Sequence, residues 1–254
     1  MSARPYVTLS CAMSIDGYLD DDRPQRLVLS NAADLDRVDG VRAENDAIMV
    51  GASTLRRDDP RLLVKSAERR GQRLAAGLTA SPAKVTVTSS GELPVEAEFF
   101  STGDVPRYVY APASKARRLQ GRLGSSATVV GLGDRVTMGG VLDDLGGERG
   151  IRRLMVEGGG TLLTQFLADD LVDELQLVIA PLFVGDPRAP RVVGAARFPW
   201  TSARRAALVE TRQIDGVVLL RYALSPRFGE AVPASPSAAL PAALPPAGLS
   251  SEVR

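Results

Sequence analysis

Glu157-Gly158-Gly159-Gly160-Thr161 is the stretch of this chain best suited to chemistry. It follows the apolar run Leu154-Met155-Val156, which reads as a strand end. Leu162, Leu163, Phe166 and Leu167 then recur at helical spacing. Glycines at a strand-to-helix junction let the backbone approach a ligand with no Cβ in the way. A helix start presents unpaired N–H groups and a positive dipole end, which suit a phosphate. Glu157 places one carboxylate on the rim. The spacing matches neither the Rossmann fingerprint nor the P-loop, so a tight connection that needs room is the alternative.

A second set lies between Arg42 and Lys65. The strand-like run Ala47-Ile48-Met49-Val50 ends at Gly51, and Ser53 and Thr54 follow at once. In open α/β sheets ligands gather at the carboxyl ends of strands. Asp58, Asp59 and Arg61 are held nearby by Pro60, although charge runs of this kind also serve as solvated turns. A third set, Ser10 to Gly17, ends the first strand and by itself reads first as a structural turn. The chain contains no histidine. That excludes Ser-His-Asp and Cys-His nucleophiles and His-ligated zinc or haem within this chain. Carboxylates, hydroxyls, basic side chains, backbone groups or a cofactor must carry any catalysis. Hydride transfer from a nicotinamide fits, because the reactive atom is then the cofactor's.

The elements that position these sets follow from patterning. Strands are predicted at Tyr6 to Met13, Ala47 to Val50, Val85 to Thr88, Arg107 to Tyr110, Thr128 to Gly131 and Leu175 to Phe183. A helix capped by Ser30 or Asn31 carries Leu35, Val38 and Val41 as its apolar stripe, and Val141, Leu142 and Leu145 mark another. Ala52 to Arg61 reads as a polar segment, and 65 to 83 as loop with a short helix. Strands alternating with helices predict a mainly parallel, doubly wound sheet. Ala206 to Arg212 and Val217 to Ala223 flank Gln213-Ile214-Asp215-Gly216 as a β-hairpin, which makes the sheet mixed.

One domain is expected over 1–225. From 226 the composition turns to Pro, Ala and Ser, which predicts a disordered Pro/Ala-rich tail over 226–254. The net charge of +1 predicts no general attraction to nucleic acid or membrane surface. No transmembrane run or secretory leader is expected, and a lone Cys11 suits a reducing, cytoplasmic compartment.

Taken in order, Met13-Ser14-Ile15-Asp16-Gly17, Arg42, Asp46 to Gly51, Thr54, Asp58-Asp59-Pro60-Arg61-Leu62, Glu157 to Leu162, Leu171 to Leu175 and Ile179-Ala180-Pro181 resemble the reductase domain of riboflavin biosynthesis. That domain also occurs fused behind a deaminase. The resemblance spans about residues 4–224. It implies a dihydrofolate-reductase-like fold: α/β, a mixed, mainly parallel sheet flanked by helices, usually as a homodimer. It implies NADPH as cofactor and a ribosylamino-pyrimidine 5′-phosphate as substrate, of the 5-amino-6-(5-phosphoribosylamino)uracil type. The opened ribose offers an imine-like C1′ to hydride, giving the ribitylamino product without a metal.

Residue by residue, the resemblance places substrate contacts at Arg42, Leu62, Lys65 and Glu157. Cofactor contacts fall on Ala12, Thr54, Asp58, Ser89 and Gly158-Gly159-Gly160-Thr161. Asp58 and Glu157 are the candidates for handling the proton. Departures from relatives stand at Ser10 (Lys or Asn in relatives), Thr88 (Asp), Arg26 (Ser in some) and Val28 (aromatic in some). They leave two other readings open: a same-fold reductase of another pyrimidine or a pterin, and a nucleotide-binding relative without turnover. The zinc signature of a deaminase is absent.

Overall fold

The computed structural model describes residues 4–21, 23 and 25–229. In chain order the elements are β1 (Tyr6–Ser14), α1 (Ala32–Glu44), β2 (Ala47–Gly51), α2 (Ala52–Asp58), α3 (Ala67–Ala75), β3 (Ala83–Val87), α4 (Glu98–Ser101), β4 (Arg107–Ala111) and α5 (Ala113–Leu123). Then come β5 (Thr128–Gly131), α6 (Met138–Gly147), β6 (Arg153–Gly158), α7 (Gly160–Ala168), β7 (Glu174–Ala180), β8 (Ala207–Ile214) and β9 (Val217–Ala223).

The strands form one nine-stranded sheet in the order β5-β4-β3-β2-β6-β1-β7-β9-β8. Every pair from β5 across to β7 is parallel, and β9 is antiparallel to both β7 and β8. Covered on both faces, β2 is a continuous apolar run rather than an alternating one. Its side chains divide by the strand's two-residue period. Ala47 and Met49 enter a core closed by α6 and α7, while Ile48 and Val50 enter a core closed by α2, α4 and α5. The hairpin turn is tight: Ile214 pairs with Val217 across Asp215-Gly216, both at positive φ (42° and 91°), as its right-handed twist demands.

Several expectations are corrected. The α1 stripe is not apolar, since Leu35 is 48% exposed and the buried side chains are Asp34 and Asp39. This helix packs through satisfied carboxylates instead. Asp39 accepts from the Lys65 and Ser66 N–H groups and from Arg69, and Asp34 holds Arg37, which reaches Gln176 on β7. The polar segment after β2 is helix α2, anchored by the single buried Leu55. Helix α5, not expected from patterning, buries only Leu119 and Leu123. β7 stops at Ala180, before Pro181, leaving Phe183 exposed. Pro226 to Gly229 form turns, and Arg227 is bonded to Asp173. The rest of the expected tail, 230–254, lies outside the described residues.

Candidate active site

The carboxyl ends of β1, β2 and β6 open into a cleft of about 790 Å³, and a smaller pocket of about 190 Å³ adjoins it. Ser53, Gly159, Thr161 and Gln165 line both, so the glycine turn is their common wall. The turn's geometry requires glycine. Gly159, the N-cap of α7, sits at φ 85°, and a Cβ there would stand 3.1 Å from the Thr54 hydroxyl. A Cβ on Gly160 would meet the Arg191 carbonyl at 2.3 Å. That carbonyl belongs to a strap, roughly 186–195, which closes over the turn. Leu19 N–H donates to the Pro190 carbonyl, Val192 N–H to the Gly17 carbonyl, and Gly194 N–H to the Thr164 hydroxyl.

In the larger cleft, Arg42 donates through Nε and Nη2 to both oxygens of Glu157, at 2.5 Å each, and through Nη1 to the Leu63 carbonyl. Burial works against the Arg42 charge, but the facing Glu157 outweighs it and holds the guanidinium firmly protonated. Asp58, half-buried at the end of α2, has its carboxyl pushed upward by burial and by nearby Asp20, against the pull of Arg26 and Arg57. Asp20 is tied to Arg57 at 3.0 Å. Cys11 faces the cleft with its thiol held up at about 12 by burial, so it is a neutral wall rather than a nucleophile.

The structure brings Ala12, Thr54, Asp58, Leu62, Glu157 and Gly158 to Thr161 to this cleft. Ser89 lines the smaller pocket. Lys65 lines neither: its side chain is exposed, and its N–H is drawn to Asp39. Asp59 and Arg61 turn away to bond α4 at Glu98. Ser10 is buried in β1 and does not line the cleft. Arg26 and Val28 both reach the lining. Sequence reasoning missed Asp20, Arg57 and the strap residues Pro190 and Arg191. The strap has no periodicity to read; its one legible sign was the glycine run that makes room for it.

A two-part cleft thus lies at the parallel strand ends of a mixed sheet with a terminal antiparallel hairpin, and a helix N-terminus joins its two parts. The family model described as the RibD C-terminal domain matches residues 5–220, and the chain belongs to that family. It is 39% identical over 201 residues to the 2,5-diamino-6-ribosylamino-4(3H)-pyrimidinone 5′-phosphate reductase of Archaeoglobus fulgidus, covering 77% of this chain and 89% of the relative. It is 37% identical over 191 residues to the protein of the same name from Methanothermobacter thermautotrophicus, covering 75% and 84%. The solved structure of Acinetobacter baumannii RibD superposes with a TM-score of 0.70 at 24% identity, covering 87% of this chain. This chain spans 58% of that longer one.

Proposed function

We propose that this chain is the pyrimidine reductase of riboflavin biosynthesis that uses NADPH to reduce the ribosyl group of a ribosylamino-pyrimidine 5′-phosphate. The observation that carries the reading is the glycine turn of β6 and α7 standing between two cavities, with Arg42, Glu157 and Asp58 facing the larger. Membership in a reductase family calls for a nicotinamide cofactor, and the residues present fit one. The first N–H groups of α7 suit its diphosphate, and the two cavities on either side suit its two halves. When bound, the nicotinamide supplies the hydride.

The chain's own residues do the rest. Arg42, with Arg26 in the lining, holds the substrate 5′-phosphate; Lys65 is not part of that lining. Glu157, fixed in orientation by the Arg42 fork, accepts from the sugar or pyrimidine N–H groups. Leu62 and Ala12 pack against the ring, and Thr54 braces the glycine turn. Asp58 is the group whose environment favours carrying a proton, so it would supply the one that the imine nitrogen takes up when C1′ is reduced. The relatives at 37–39% identity are named for the 2,5-diamino compound, which favours the substrate that has not been deaminated. Action as a homodimer in the cytoplasm belongs to the same reading. The outer strand β8 leaves Leu208 and Val209 exposed along an open sheet edge.

Spectrophotometric NADPH oxidation with the 2,5-diamino and the deaminated substrates tests the reading. The first is expected to be turned over faster. Oxidation only with another pyrimidine or a pterin, or NADPH binding without any turnover, would replace it with one of the other two readings.

A further inference from the structure

The smaller pocket has a composition that the catalytic reading does not use. Its polar lining includes Thr88, Ser89 and Ser90, just after β3, and Arg56 from α2. Among the described residues, no Asp or Glu lines it. Sites for a nicotinamide dinucleotide lacking a 2′-phosphate place a carboxylate on the adenosine ribose, to accept from its 2′-hydroxyl. Glu92, two residues beyond Ser90, is already held by Arg122 at 2.9 Å. What the pocket offers is a net positive, donor-rich wall.

Arg56 is available to an anion. Among the described residues its one hydrogen bond runs from Nη1 to the Glu92 carbonyl at 3.2 Å, leaving most of its fork undirected. The Ser89 hydroxyl makes no hydrogen bond among the described residues, while its carbonyl is fixed by Lys115 at 2.9 Å. Lys115 thus positions the loop from outside the pocket lining, whereas Arg56 faces into it. The Thr88 hydroxyl accepts the Gly91 N–H and the Ser90 hydroxyl accepts the Glu92 N–H, each at 3.1 Å, which rigidifies the turn that presents Ser89 and leaves Ser90 its O–H to donate.

We propose that Arg56, with Ser89 and Ser90, reads a phosphomonoester on the 2′ position of the adenosine ribose, and that Arg56 is the residue that selects NADPH over NADH. The inference rests on the reading of the cleft as a nicotinamide dinucleotide site. A guanidinium meets a phosphate through two parallel bonds, and no carboxylate stands by to repel it.

Calorimetric titration with adenosine 2′,5′-bisphosphate and with AMP tests this without turnover. The unmodified protein is expected to bind the bisphosphate roughly tenfold to a hundredfold more tightly, the usual range for hydrogen bonds to a charged group. Arg56→Ala should bring the two affinities to within about threefold while leaving AMP binding where it was. A ratio that survives in Arg56→Ala, or one that disappears in Lys115→Ala instead, overturns the assignment. Titration of NADPH itself, followed by its fluorescence, separates the two levels. If the unmodified protein does not bind NADPH, the dinucleotide reading fails as well. If NADPH binds and Arg56→Ala keeps the full ratio, only the role of Arg56 fails.

Discussion

The Arg42 guanidinium has two anions to serve. Glu157 already takes two of its five N–H groups and Leu63 a third, so a phosphate must use the rest. Arg42→Ala is therefore expected to do more than weaken substrate binding. It leaves Glu157, whose side chain is 13% exposed, without its cation, at a cost of roughly 3 kcal/mol of stability, the lower end for breaking a buried pair. Denaturant melts should show that loss, and KM should rise by the equivalent of roughly 1.5–3 kcal/mol. A variant that melts like the unmodified protein would argue that the pair is idle. Asp58 makes the opposite prediction. Its carboxyl is held above the ordinary 3.8, chiefly by burial, so the folded chain binds more protons there than the unfolded one. Stability contributed at Asp58 accordingly falls as pH rises from that value through the raised one. Asp58→Asn should raise the melting temperature at neutral pH, lose that advantage in acid, and slow turnover roughly a hundredfold if the proton is its task. Most of these residues were legible because they stand in contiguous motifs. Lys65 stands outside the cleft lining, with its backbone captured by Asp39, 26 residues away, a contact that leaves no local pattern. Asp20 and Arg57 carry no pattern that distinguishes them from solvated charges.

At the scale of elements, the strap and the glycine turn are one unit. Gly160→Ala puts a Cβ against the Arg191 backbone at 2.3 Å, with no flexible side chain to yield. The strap must lift, at a cost of about 1–3 kcal/mol for overpacking. The same change should weaken dinucleotide binding, because the strap lines the cleft through Pro190 and Arg191. Thermal melts and NADPH titration check both, and an unshifted melt would show that the strap is not seated. Helix α1 depends on Asp39 in a similar way. Its carboxyl is resisted by burial but drawn below 3.8 by the Lys65 and Ser66 N–H groups and by Arg69, so its stabilising effect is present above that range and fades in acid. Asp39→Ala should cost roughly 2–3 kcal/mol near neutrality and much less in acid, as acid and neutral denaturant curves would reveal. The strands were readable because central parallel strands are unbroken apolar runs. Helix α1 was legible from its Asn31 cap but not in its buried face, and α2 and α5 were missed, because few of their side chains enter a core. Their places are set by hydrogen bonds and by the strands they follow, neither of which leaves a period in the sequence.

For the whole molecule, the absence of histidine sets the pH behaviour as firmly as it sets the chemistry. Between the carboxylate range and the first basic titration, no side chain is expected to change charge, so stability should be level there. The first group to break that plateau is Lys84, fully buried on β3, where it donates to the carbonyls of Phe99 and Thr102. Burial, helped by Arg107, pulls its ammonium from 10.5 down to about 8. The folded chain therefore gives up this proton near 8, while the unfolded chain keeps it to 10.5. Over that interval the unfolded state binds more protons, and the Lys84 contribution to stability rises with pH. Below 8 the charge is buried, and the Phe99 and Thr102 carbonyls, the Thr102 hydroxyl, the Phe99 ring and the field of Glu98 offset that burial only in part, a cost the fold carries throughout the neutral range. Lys84→Met keeps the volume and removes the titration. Its melting temperature should follow a level line through pH 8, where the unmodified protein turns upward. If both profiles turn upward together, another group is responsible, and Lys84 keeps its proton in the fold up to its ordinary range.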